Sequence, residues 1–159
     1  MRIRQSKTAD TRSAKTLVNK ETLLASSHQH IGDVQMALHW MICKLGDISL
    51  KHDWTKIAGI DQFAEDFKMV QENSTIDFKT LPWFKYHITN ERHHVNDYCP
   101  DDVNLFDLLE RIADITMAGM ARTGKIYDDS LSSDILTKAY KNTVELLKSQ
   151  IIVEEATDD

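Results

Sequence analysis

Between Ser27 and Leu45 the apolar residues Val34, Ala37, Leu38, Met41, Ile42 and Leu45 recur at i, i+3, i+4, i+7, i+8 and i+11. That spacing gives an α-helix one apolar face, so the chain is committed to packing helix on helix rather than strand on strand. The period returns downstream. Asp61 to Glu72 carries Phe63, Ala64, Phe67 and Val70, and Thr80 to about Arg92 reads as a third helix with Pro82 tolerated in its first turn. Asp101 or Asp102 is placed to cap a fourth helix running to Met120, with Gly119 as its stop. A last amphipathic stretch, Ser130 to Ile152, carries Leu131, Ile135, Leu136, Ala139, Val144, Leu147 and Ile151. No alternating run argues for a sheet, although Lys125 to Tyr127 or Ile151 to Val153 suits a short extended piece. Only five Gly and two Pro punctuate the chain. The expected fold is therefore all-α, a compact single-domain bundle of about five to six helices over residues 13–153. A flexible polar segment (1–12) precedes it and an acidic tail (154–159) follows.

Bulk properties narrow the function. A chain of 159 residues with 42% apolar content can bury a core without disulfides or a structural metal, which excludes disorder. The net charge of −6 argues against duplex nucleic acid as a partner, because such binders present a basic stripe to the phosphates. The first twenty residues are basic but lack the apolar core of a signal peptide, and no segment is apolar enough to span a membrane. A cytoplasmic, membrane-free protein is expected, in which Cys43 and Cys99 are reduced packing residues. A homo-oligomer is left open.

Histidines and carboxylates carry the chemical signal. His30 falls four residues before Val34 on the first stripe and is expected to face inward, whereas His28 and His39 fall on the opposite face. His52-Asp53 lies between two helices and offers one nitrogen and one oxygen ligand to a divalent ion, and the carboxylate is able to bridge a second. His87, Glu91 and His94 stand at i, i+4 and i+7, one face of a helix if the third helix runs that far, with His93 beside them. The plain alternative is that His93-His94 ends that helix favourably for its dipole. On the fourth helix a narrow polar strip holds Asp107, Glu110, Arg111 and Asp114. It reads either as a solvated face neutralised by Arg111 or as acids facing an internal cation.

Taken in order, His30, His52-Asp53, His87, His93-His94 and Asp114 resemble the HD-domain superfamily of all-helical, metal-dependent phosphohydrolases. The resemblance spans roughly His30 to Met120. A closer likeness is to an uncharacterised group of small HD-like proteins frequent in bacteriophages. Their pattern is matched by His52-Asp53-Trp54-Thr55-Lys56, by His87 six residues before His93-His94, and by the acids of Leu108-Leu109-Glu110-Arg111-Ile112-Ala113-Asp114. Where that pattern has Pro-Glu after the histidine pair, this chain has Val95-Asn96.

The resemblance implies that His30, His52, Asp53 and Asp114 hold one divalent transition metal and His87, His93 or His94 a second. The resemblance leaves the identity of the metal open among manganese, iron, cobalt, nickel and zinc. It further implies hydrolysis of a small phosphorylated substrate, a nucleotide or related phosphate ester, by a metal-activated water. In that reaction Asp53 would bridge or orient, Lys56 would neutralise phosphate charge and Glu110 would position water or a ligand histidine. For a phage-encoded chain the compartment is the host cytoplasm. Two other classes share the scaffold: a di-iron oxygenase of the HD-like kind, such as myo-inositol oxygenase, and a non-enzymatic protein that binds a host protein. The run Gly119 to Lys125 matches the glycine-lysine spacing of a phosphate-binding loop. Ile126 stands where a hydroxyl residue would hold magnesium, and the run follows a helix, so it reads as a helix stop and loop.

Overall fold

A computed structural model of the chain describes residues 1–6 and 19–155, and within them the fold is all-α with one short two-stranded sheet. The order is β1 (Arg2–Arg4), α1 (Lys20–Ser49), α2 (Trp54–Ala58), α3 (Ile60–Glu72), a 3-10 turn (Phe78–Thr80), α4 (Pro82–Asn90), α5 (Leu105–Thr123), α6 (Ser133–Ser149) and β2 (Ile152–Glu154). The chain divides into two compact units, Met1–Leu45 with Val144–Asp159, and Gly46–Thr143.

In the first unit β1 pairs in parallel with β2, Arg2 opposite Ile152 and Arg4 opposite Glu154. Gln29 Nε2 on α1 donates to Arg4 O at 2.8 Å and ties the helix to the strand. The expected flexible segment 1–12 is thus ordered where β1 forms, and residues 7–12 lie outside the described residues. Likewise Glu154 of the expected acidic tail is paired in β2, and residues 156–159 lie outside them. The apolar stripe of α1 is helical as the spacing predicts, but it is not buried: Val34 and Leu38 are 42% and 52% exposed. His30 on the same stripe is exposed too, as are His28 and His39. The period specifies a face, not what covers it.

The second unit contains the core. Val95, Val103, Leu108 and Ala139 form its buried cluster, with Cys99, Leu105, Leu131 and Ile135 packed against it. Cys99 is therefore the packing residue expected, whereas Cys43 is exposed. A second, aromatic cluster joins α3 to α4, where Phe63 stacks on Trp83 with ring centroids 3.8 Å apart and Phe78 leans on both. The buried Asp66 of α3 accepts a hydrogen bond from Trp83 N at 2.8 Å. It satisfies an amide in the first turn of α4, which Leu81 as N-cap has no side chain to serve.

Helix ends differ from the expectations in instructive ways. α5 begins at Leu105, not after Asp101 or Asp102. Asn104 caps it in a reciprocal capping box with Asp107, and it ends at Gly124 with φ 69°. Gly119 is inside the helix, where the returning chain passes so close that an added Cβ would lie 2.5 Å from Lys125 O and 2.8 Å from Tyr127 N. The glycine-lysine run is thus the last turn and cap of α5. Gly119→Ala is expected to lower the melting temperature by overpacking, on the order of 1–3 kcal/mol. Gly46→Ala, whose Cβ would meet nothing within 4 Å, should leave stability unchanged or raise it. Paired thermal melts measure the difference.

Candidate metal centre

The centre is built in the second unit from a tight turn, a bent loop and one face of α5. Asp53 precedes α2 with φ 57°, the one non-glycine residue with positive φ among the described residues. Its carboxylate bonds Lys56 one turn on. α4 stops at Asn90, so Glu91 to His94 is not helical and the one-face spacing of His87, Glu91 and His94 does not apply. Turns bring these residues together instead. Arg92 braces the loop by donating from Nε and Nη2 to the two oxygens of Asp107 at 2.8 and 2.9 Å. Arg111, itself paired with Asp129 at 2.6 Å, donates to His93 O at 3.3 Å. Asp107 and Arg111 thus leave the polar strip for structural work, and only Glu110 and Asp114 of that strip face the histidines.

Hydrogen bonds assign the imidazole tautomers. Thr55 is wholly buried, and its Oγ1 donates to Glu91 Oε1 at 2.6 Å while its backbone N–H donates to the same oxygen at 2.9 Å. A hydroxyl has one proton, so Thr55 Oγ1, 2.7 Å from His87 Nδ1, must accept there. His87 therefore carries its proton on Nδ1 and presents a bare Nε2. That atom lies 3.6 Å from Asp53 Oδ1 and 2.9 Å from His94 Nε2.

His52 follows the same logic through a different acid. Its Nδ1 donates to Glu110 Oε1 at 2.9 Å, which leaves Nε2 facing Asp53 Oδ2 at 3.3 Å and Asp114 Oδ1 at 3.7 Å. His93, 1% exposed, stands alongside. Its Nδ1 lies 3.2 Å from the same Glu110 oxygen without hydrogen-bond alignment, and its Nε2 lies 3.7 Å from Asp53 Oδ1 and 3.9 Å from Asp114 Oδ2.

Two positions for a cation result. Ligand atoms of His52, Asp53 and His93 lie within 4.8 Å of one another, as do those of Asp53, His87 and His94, so Asp53 belongs to both groups. A third group, Glu91, His93 and Glu110, includes the two orienting acids. Ligands at about 2.0–2.2 Å from a common ion stand roughly 3–3.5 Å apart, close to the separations found. Buried polar atoms point the same way: Asp53 Oδ1 and both ring nitrogens of His93 have no hydrogen-bond partner. Such atoms are costly to bury unless an ion or water satisfies them. The residues present fit a divalent metal.

His93 thus groups with His52 rather than with His87 and His94, and Asp114 faces both His52 and His93. His30 stands exposed on α1 in the first unit and belongs to none of the three groups. The sequence concealed the roles of Thr55 and Glu91: Thr55 stood out only as a threonine two places after the His-Asp pair, and Glu91 only through a helical spacing to His87 and His94 that does not apply once α4 stops at Asn90.

Comparison with protein-family models, curated proteins and solved structures returns no match. The arrangement must speak through its own chemistry.

Burial, then the neighbouring imidazole, lowers His87 and His94 from 6.5 to about 4, so both are neutral and ligand-competent at neutral pH. His93 moves upward: burial opposes its charge, but Glu110, Asp53 and Asp114 outweigh burial. Asp53 and Glu110 are lowered, as burial is overcome by Lys56, His52 and His93 for the first and by His93 and His52 for the second. Between pH 6.5 and 4 the unfolded chain takes up protons that folded His87 and His94 refuse, so stability falls as the pH falls. The His93 contribution has the opposite sign, being complete below pH 6.5 and lost as the pH rises through its raised value. Metal-free protein should therefore melt highest near neutrality and lower towards pH 4. Replacing His87 and His94 together by Asn should flatten that acid limb, as calorimetry across pH would show.

Proposed function

We propose that the chain is a metal-dependent phosphohydrolase acting on a nucleotide or related small phosphate ester. The observation that carries the reading is the sharing of Asp53 between two adjacent groups of metal-ligating atoms, in keeping with the HD-type order of residues. His52 Nε2, His93 Nε2, Asp53 and Asp114 would hold one ion, and Asp53, His87 Nε2 and His94 the other. Bound there, a divalent ion supplies a water of lowered pKa and polarises a phosphoryl oxygen.

The protein's own groups prepare that chemistry. Glu110 keeps the Nδ1 side of His52 occupied and stands against that of His93, and the Glu91–Thr55 pair holds Nδ1 of His87, so Nε2 of His52 and of His87 faces Asp53 without rotating. Lys56 is partly exposed beside Asp53, and its ammonium has three donors. It is able to keep Asp53 and bind a phosphate oxygen at once. Among the described residues no helix is long and apolar enough to cross a membrane.

Protein purified without chelator should contain bound transition metal, and chelation should lower its melting temperature, because a ligand bound only by the folded state stabilises it. Absence of metal after supplementation, with no change in melting, would remove the basis of the proposal. A panel of nucleoside mono-, di- and triphosphates and cyclic nucleotides, assayed with manganese or cobalt, should release phosphate or open the cyclic ester. Asp53→Asn should abolish both metal and turnover. Lys56→Ala should keep the metal and lose turnover or affinity by about tenfold or more, as expected for a charge-assisted contact worth roughly 1.5–3 kcal/mol. Oxygen consumption by the iron-loaded protein with a polyol, and no ester cleavage, would replace hydrolysis by oxygenase chemistry.

A further inference from the structure

α1 is 30 residues long, yet Ser26 is the sole residue it buries. Its apolar positions obey a stricter rule than one face of a helix requires. Leu24, Ile31, Leu38 and Leu45 fall at every seventh residue, and Ser27, Val34, Met41 and Ile48 follow each of them by three. Alternating steps of three and four make a heptad seam with a period of 3.5. A straight helix drifts about 20° per heptad from such a repeat, so the seam stays in register only when two helices wind around each other. Leu24, Ile31, Val34, Leu38 and Leu45 are 37–54% exposed along it, and Leu23 and Ile42 widen it on its two shoulders.

We propose that a second copy of this chain covers the seam, α1 lying antiparallel on α1. The seam from Leu24 to Ile48 is about 36 Å long at ~1.5 Å per residue. The next longest helices, α5 and α6, have 19 and 17 residues and are too short to cover it, so among the described residues its one match in length and pattern is α1 itself. With full antiparallel overlap Leu24 meets Ile48, Ser27 meets Leu45, Ile31 meets Met41 and Val34 meets Leu38. The small Ser27 thus faces a large partner, and the helix dipoles oppose favourably. The flanking positions carry no acid, being Leu23, His30, Ala37 and Lys44 on one side and His28, Gln35, Ile42 and Ser49 on the other. Two copies therefore bring no carboxylates together across the seam and no lysine against lysine. Leu23, Leu24, Ile31, Val34, Leu38, Ile42 and Leu45 stay 37–65% exposed along the seam, a contiguous apolar strip of the kind that marks an interface.

Light scattering on the full chain should give twice the chain mass. Ile31→Glu with Leu38→Glu should halve it while helical content by circular dichroism and bound metal are retained, since both side chains are exposed. A wild-type monomer, or a dimer that the two glutamates leave intact, overturns the proposal. Cysteine pairing tests the same contact in folded protein without charges, in a Cys43→Ser background. A mixture of Val34→Cys and Leu38→Cys chains should cross-link on mild oxidation, and Val34→Cys alone should not. Cross-linking of Val34→Cys alone, or none in the mixture, overturns the antiparallel register.

Discussion

The carboxylate of Asp53 is the point on which the second unit turns. A left-handed backbone costs a non-glycine residue about 1–2 kcal/mol, and glycine would be the cheap choice at φ 57°. A carboxylate stands there instead, in contact with Lys56 and within 3.3–3.7 Å of nitrogens of His52, His87 and His93. Strain of this kind persists when the surroundings overdetermine it and collects at functional sites. Here the surroundings come from α2, α4, the loop after α4 and α5, so the local conformation is fixed by elements far apart in sequence.

Two acids do the same job on opposite sides of that carboxylate. Glu110 accepts from His52 Nδ1 and stands against His93 Nδ1, and Glu91 acts on His87 through the Thr55 hydroxyl. Each arrangement turns a bare nitrogen towards Asp53. Bare nitrogens and anionic oxygens repel one another unless a positive charge lies between them. The raised pKa of His93 is the response of the metal-free protein to this repulsion, since a proton is the smallest cation available. A metal at His93 would compete with protonation of the ring, which couples affinity to pH.

Helical periodicity made the all-α fold legible, and the His-Asp pair with the acids of α5 made half of the centre legible. What stayed hidden was non-local. Nothing between Thr89 and Arg92 breaks a helix by composition, so the end of α4 at Asn90 is not written locally. It follows from Glu91 being drawn to Thr55 and Arg92 to Asp107. The cap of α5 is Asn104 rather than Asp101 or Asp102 because Asp107 stands where a capping box with Asn104 needs it, while Asp102 pairs with Arg92. The strand Arg2–Arg4 is too short and polar to be read without its partner almost 150 residues away. Asp107 and Arg111 looked like members of one polar strip with Glu110 and Asp114 because helical spacing states which residues share a face and not which partner each one finds.

Charge balance links the centre to the kind of ligand it would take. The carboxylates of Asp53, Glu91, Glu110 and Asp114 surround the histidines, and the lysine among them is Lys56. The cluster therefore holds more acids than bases, an imbalance that a divalent ion would offset. With both positions filled, four carboxylates would face two divalent ions and Lys56, an excess of one positive charge. A neutral polyol would leave that excess in place, and unbalanced charge is expensive for the buried members of the cluster. On the proposed reading a phosphate ester would neutralise it and offer oxygens to Lys56 and to both ions at once, which supports a phosphate over an uncharged substrate.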